Sequence, residues 1–303
     1  MTGSYSLPRE SEGRGLSSRR PPIGWWRPES EELRDSRDLV SAIGVPLVIV
    51  NRNNELALYA EPDGAWVAES DNALPVLGHV PAIDPASLGD AGFCDDHGLA
   101  FPYISGAMAN GIGSVEIVVA MARAGMLGFF GAAGLPSDVI AKSIDRIRQG
   151  IGDAPFGVNL IHTPNEPNWE DEVVDLLVEK GVHLIEASAY LKLTLPVVRY
   201  RVHGIHQNSS GRIVAPNRII AKVSRTEIAS KFLAPPPENL LQKLVEAGQI
   251  SAEQALLARE IPMAQDLTAE ADSGGHTDNR PAIALLPTLI ALRDTFQNEY
   301  KYP

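Results

Sequence analysis

From Phe101 onward, short apolar runs alternate with stretches whose apolar residues recur at helical spacing, and that alternation leaves few architectures open. Consecutive parallel strands need a crossover of about a dozen residues or more, and a helix fills it, so a strand–helix repeat predicts a parallel sheet covered by helices. The first unit runs from Phe101 to Met108, then from Ser114 to Ala124 with Val115, Val118, Val119 and Ala122 on one face and Gly125 as the stop. Met126 to Gly131 opens the second, whose helix is expected to be capped by Ser137 and is striped by Val139, Ile140, Ile144 and Ile147. The third and fourth follow as Phe156–Ile161 with a helix from Glu170 to Lys180, and His183–Ala187 with Leu195 to His203. Arg218–Val223, with Thr226 to Phe232, makes the fifth.

The period then breaks. Pro235-Pro-Pro237 opens an inserted helical pair, Glu238 to Ala247 and a second helix capped by Ser251 with Gln254 at the capping-box spacing. Such an insertion is expected to form a lid or a substrate-facing wall. Met263 to Glu270 resumes as a sixth strand, and a helix is expected after Pro287, from Thr288 to Arg293 or beyond.

A sheet of this kind is either open and doubly wound or closed as a barrel. Gly111-Ile-Gly113-Ser-Val-Glu116 begins like a dinucleotide fingerprint but lacks the third glycine, and no acidic residue ends the second strand, which favours the barrel. Functional groups of a barrel gather at the strand C-termini. Those ends carry Met108 and Asn110, Gly131, Asn159 and His162, Ser188 and Tyr190, Lys222 and Ser224, and Gly274 to His276. The last belong to Ala269–Pro281, where two glycines precede a histidine and four polar or charged side chains follow. Glycines let a backbone approach a flat ligand, and neutral imidazole can accept or donate a proton near neutrality. Taken alone, the same stretch also reads as a surface turn.

Residues 1 to 24 read as a disordered tail, and 25–97 as a small N-terminal layer containing a hairpin, Pro46–Asn51 with Glu55–Tyr59. A formal charge of −12 disfavours nucleic acid as a partner, because that recognition rests on Lys and Arg neutralising phosphates. No apolar run approaches the roughly 20 residues of a membrane span, and no signal peptide is evident, so a cytoplasmic location is expected. The one cysteine, Cys94, reads as a small buried apolar residue. His203-Gly-Ile-His206 has a metal-like spacing but no acidic or cysteine partner nearby in sequence, and no metal site is expected.

Tyr103–Gly111, Phe156–Ile161, Ile220–Ser224 and Ala271–Asn279 closely resemble the trans-acting, flavin-dependent enoyl reductases of polyketide and polyunsaturated fatty acid synthases, within a wider group that includes nitronate monooxygenases. The likeness runs from about Trp26 to the C-terminus. It implies an α/β fold, a TIM-type (β/α) barrel with about six of eight units present, occupying 98–303 with the helical insertion at 235–261. It also implies FMN as cofactor. Ala107, Met108 and Ala109 would lie against the isoalloxazine ring, Asn159 and Lys222 would hydrogen-bond its polar edge, and Gly274 and Gly275 would let the backbone come near it. His276 would be the catalytic residue facing the substrate. Met108 as core filler, Asn159 as a turn residue and Lys222 paired with a carboxylate such as Glu186 are the plain structural alternatives. The family continues into two further units where this sequence reaches Tyr300–Pro303, so a fragment, a barrel completed by another chain and an open sheet all stay open.

The activity so implied is reduction, with NADPH as reductant, of an enoyl thioester held on an acyl carrier protein, in polyketide or polyunsaturated fatty acid biosynthesis. His276 would stabilise the thioester oxygen or supply the α-proton, its reference pKa of about 6.5 being suited to transfer near neutrality. The partners implied are the carrier protein, the acyl thioester and, in a homodimer, a second copy. Two rivals remain: a nitronate monooxygenase, against which the insertion speaks because a small nitronate does not require it, and a non-catalytic truncated barrel or docking component.

Overall fold

The computed structural model describes residues 21–272 and 280–300. The chain divides into two compact units at Ala91/Gly92.

The first unit is a five-stranded antiparallel sheet. Its elements are β1 (Gly24–Pro28), α1 (Ser36–Ser41), β2 (Leu47–Arg52), β3 (Glu55–Ala60), β4 (Gly64–Val67) and β5 (Leu74–Val80), in the strand order β3-β2-β5-β1-β4. The expected hairpin is β2–β3, its turn made by Asn53 and Asn54 at φ 56° and 71°. Alternation along the strands puts Trp26, Val48, Val50, Ala57, Tyr59 and Val76 on one buried face, a core the hairpin alone could not assemble.

The second unit holds the repeat. After α2 (Ala91–His97) come β6 (Ile104–Ser105), α3 (Val115–Arg123), β7 (Leu127–Phe130), α4 (Ser137–Ile151), β8 (Gly157–Ile161), α5 (Pro167–Glu179), β9 (Leu184–Ser188) and α6 (Leu195–Val202). A short pair, β10 (His206–Gln207) and β11 (Ile213–Val214), precedes β12 (Arg218–Val223), α7 (Thr226–Leu233), α8 (Glu238–Glu246), α9 (Ala252–Ala258), β13 (Asp266–Ala269) and α10 (Ala282–Tyr300). Six of these strands form one parallel sheet in the order β13-β12-β9-β8-β7-β6, each beside its predecessor in the chain. The winding never reverses, as it would in a doubly wound sheet, and the sheet curls as a half-barrel. Its two faces bury different sets. Val158, Leu160, Ile185, Ala187, Ile219 and Ala221 face the helices, while Leu127, Phe129, Leu184 and Ile220 form a separate inner cluster with Phe93 and Leu99 against it.

Several sequence expectations change, among them the sixth strand, which shortens from Met263–Glu270 to Asp266–Ala269. The first strand shrinks from Phe101–Met108 to Ile104–Ser105, because Gly106 to Gly113 is a loop knitted to the next unit. Pro136 rather than Ser137 occupies the N-cap of α4, with no side-chain cap. The last helix starts at Ala282 and runs through Pro287, because burial of Leu285 and Leu289 holds it across the missing amide. The insertion is not a lid. All six strands are parallel, so α7 descends from the C-terminal edge of the sheet and the insertion joins its lower end to the start of β13. Met263 N–H donates to Ala234 O and Ala264 N–H to Phe232 O, closing that lower end, while Leu241, Leu244 and Leu257 sink into the helix-side core. The Ser251/Gln254 capping box is present as expected.

Candidate active site at the C-terminal ends of the strands

Toward its C-terminal edge the inner face carries a connected group of polar side chains. Strand alternation aims Asn159 of β8, Glu186 of β9 and Lys222 of β12 into the curl of the sheet, with Asn159 and Glu186 paired across neighbouring strands. Asn159 is 4% exposed, and its amide nitrogen donates to Glu186 O at 3.1 Å and to Ser188 Oγ at 3.0 Å. Lys222 Nζ lies 3.2 Å from Glu270 Oε1, just past β13. The expected local carboxylate for Lys222 is therefore Glu270 in direct contact, with the charge on Glu186 also acting within the group.

Glu186 is 3% exposed. Burial pushes its carboxyl above the ordinary carboxylate range, the Lys222 charge and the Ala107 amide oppose that, and Glu270 adds to it. Its Oε2 accepts the Ala107 N–H at 3.1 Å.

That bond belongs to a loop whose backbone is fixed from two sides. Gly113 N–H donates to Met108 O, Gly111 N–H to Gly131 O, Gly131 N–H to Gly113 O and Asn110 N–H to Ala133 O. Asn110 and Gly111 adopt φ 56° and 72°, which turns the chain back on itself. A Cβ on Gly131 would overlap the Met108 carbonyl oxygen, so glycine there is a condition of the close approach. Ala107 and Ala109 present little side chain, and Met108 is 44% exposed rather than core.

A second buried carboxylate lies beside the first group. Glu170 of α5, 4% exposed, accepts the Tyr190 hydroxyl at 2.7 Å and the Thr194 hydroxyl, and its Oε2 stands 3.3 Å from His162 Nδ1. The His162 and Tyr190 rings stack at 5.5 Å. Burial first, and then the Glu170 charge, hold the Tyr190 hydroxyl well above its usual range. The cluster ties together the loops that follow β8 and β9. His162 and Tyr190 stand among the strand-end residues in the sequence; Glu170, a helix residue, carries no local signal.

Ala107, Met108, Ala109, Asn159 and Lys222 thus come from the ends of β6, β8 and β12 to one edge of the sheet, while Gly274, Gly275 and His276 lie outside the described residues. Among the described residues no group of His, Cys, Asp or Glu could hold a metal ion, and no helix is long and apolar enough to cross a membrane. The His206 ring lies 2.9 Å from the Gly204 carbonyl instead.

A wholly parallel βα half-barrel with buried polar groups at its strand C-termini defines a class of ligand-binding α/β proteins. The nitronate monooxygenase family model matches residues 95–291, and the chain belongs to that family. It is 47% identical over 229 residues to a polyunsaturated fatty acid synthase component of a Thraustochytrium species, across 75% of this chain and 15% of that protein. To the polyketide biosynthesis protein PksE of Bacillus subtilis it is 44% identical over 221 residues, 73% of this chain and 29% of that one. The enoyl reductase domain of MlnA, from the macrolactin biosynthesis cluster of Bacillus amyloliquefaciens, has a similar structure, with a TM-score of 0.69 and 38% identity over 73% of this chain and 50% of that one. The chain therefore spans half or less of the length of these relatives.

Proposed function

We propose that this chain is the flavin-binding part of an enoyl reductase acting on enoyl thioesters carried by an acyl carrier protein in polyketide or polyunsaturated fatty acid synthesis, built on a TIM-type barrel of which these six strands form the larger part. The observation that carries the reading is the convergence of Ala107, Asn159 and Lys222 on one edge of the sheet, in a chain similar to synthase components.

The residues present fit FMN. A loop with small side chains at Gly106, Ala107 and Ala109 leaves a backbone surface on which a flat ring can rest, and the buried Ser105 hydroxyl at its base has no protein partner among the described residues. Lys222 and Asn159 would hold the ring's polar edge, Lys222 donating from an ammonium that Glu270 orients. Bound there, FMN supplies the two-electron reduction of the enoyl double bond, with NADPH as reductant. Gly274 and Gly275 would let the backbone come near the flavin, and His276 would place an imidazole proton at the thioester oxygen or the α-carbon as charge develops there.

NADPH oxidation by the full protein loaded with FMN, with an enoyl group on an acyl carrier protein as substrate, tests the reading. The expected result is turnover that His276→Ala lowers by about 100-fold or more. Full activity in that variant would remove the histidine from the mechanism. A family model described as nitronate monooxygenase favours one second reading, in which the same histidine takes a proton from an alkyl nitronate. Turnover of a nitronate with no enoyl reduction would select it. The insertion does not argue against it, since it lies at the far end of the strands from the site.

A further inference from the structure

Glu186 stands outside the residues assigned to the cofactor, yet it touches or acts on three of those that the structure describes. Its carboxylate accepts the Ala107 amide, its carbonyl accepts the Asn159 side chain, and its charge is felt together with that of Lys222. We infer that Glu186 is a positioning residue of the flavin pocket: from the middle of the sheet it pins the Ala107 loop against the cofactor site and fixes the orientation of Asn159.

The inference rests on the proposed flavin site. Ala107 is attached to the sheet by a strand of only two residues, Ile104–Ser105, so the ladder itself gives the loop little support. Besides the packing of Ala107 on the inner cluster, two hydrogen-bonded tethers hold it among the described residues. One is the backbone lattice to Gly131 and Ala133, which begins at Met108 and leaves Ala107 out; the other is the Glu186 carboxylate. A buried carboxylate is a costly way to accept a single amide, since desolvation disfavours the charge and a neutral side chain would serve a purely structural bond as well. Here the group lies on the same inner face as Lys222 of β12, whose charge acts on it, while the ammonium itself pairs with Glu270 just past β13. The negative charge of Glu186 therefore helps keep Lys222 directed into the curl of the sheet while the same carboxylate holds the loop. One side chain sets both the surface on which the ring would rest and the cation at its edge.

Two substitutions separate the parts of this role. Glu186→Gln keeps an oxygen that can accept the Ala107 N–H but removes the charge, and Glu186→Ala removes both. Hydrogen exchange of the segment around Ala107 is to be followed by mass spectrometry in the full protein without FMN. FMN affinity is to be measured by quenching of flavin fluorescence in wild type and both variants. The expected result is exchange about tenfold faster in Glu186→Ala, with protection retained in Glu186→Gln. FMN affinity is expected to fall by at least tenfold in Glu186→Ala and by a smaller factor in Glu186→Gln, where Lys222 keeps Glu270 but loses the nearby charge of Glu186 and the loop stays in place. Exchange and FMN affinity both within twofold of wild type in Glu186→Ala would overturn the inference. If wild-type protein takes up no FMN, the flavin reading itself falls, and the exchange comparison alone decides whether Glu186 pins the loop.

Discussion

The Glu186 carboxylate on β9 accepts the backbone amide of Ala107 at 3.1 Å across 79 residues of sequence, so a buried charge and a loop on the first strand of the repeat are one mechanical unit. Its energetic sign follows from the raised carboxyl. A folded pKa above the unfolded value means that the native state binds the proton more tightly, so ionisation costs stability once the pH exceeds the unfolded carboxylate value. Below that value both states are protonated and the cost vanishes. Glu186→Gln should therefore be more stable than wild type at neutral pH, with the advantage shrinking as the pH falls into the ordinary carboxylate range. Urea denaturation at several pH values measures it; an advantage that instead grew with acidity would show that Lys222 outweighs burial.

Gly131 and Met108 make a second, purely steric constraint. Because an added Cβ would overlap the Met108 carbonyl oxygen, Gly131→Ala must push the loop off β7 or break its bonds to Gly111 and Gly113. The expected cost is about 3 kcal/mol, the upper end of the usual range for overpacking. Chemical denaturation gives the stability, and FMN titration is expected to show a parallel loss of affinity because Met108 and Ala109 move with the loop.

Much of this architecture is legible in the sequence because its signals are local. Arg218–Val223 is a strand at the residues the apolar run predicts, and Ser251 with Gln254 caps its helix as the spacing requires. What the sequence hides depends on distance along the chain. Strands β1, β4 and β5 complete the N-terminal sheet only by pairing across some 40 residues, as Trp26 does with Trp66 and Leu74. Glu170 looks like any acidic residue in the first turn of a helix until Tyr190 and Thr194 fold over it. The insertion departs from expectation for a different reason. Its position between a helix and the next strand already puts it at the lower edge of a parallel sheet, and only the expectation that inserted helices cover substrates points the other way.

Glu170 should prove more sensitive than its place on a helix suggests. Replacing it with Ala leaves the buried Tyr190 and Thr194 hydroxyls without their acceptor and His162 without its carboxylate. Each unsatisfied buried group costs about 1–3 kcal/mol, so a total loss of about 3 kcal/mol is expected. Glu170→Gln, which keeps an acceptor for Tyr190, should lose less. Urea midpoints of the two variants test this, and equal losses would mean that the charge rather than the hydrogen bonding stabilises the cluster.

The insertion offers a test in which stability and function should part. Leu241 of α8 is fully buried in the helix-side core, so Leu241→Ala should cost about 2–5 kcal/mol through lost burial and the cavity left behind. The Arg259 guanidinium grips Glu238 at 2.6 Å and 2.9 Å where the insertion begins and ends, but both side chains are exposed, and Glu238→Ala should cost under about 1 kcal/mol. Neither residue lies near the edge where Ala107, Asn159 and Lys222 meet, because α7 carries the chain down to the opposite end of the sheet before α8 begins. FMN affinity at a temperature where Leu241→Ala is still folded should therefore match wild type within about twofold, since sites without shared partners act almost independently. A large loss of affinity with little loss of stability would put the insertion back at the mouth of the site, against the direction in which the parallel strands run.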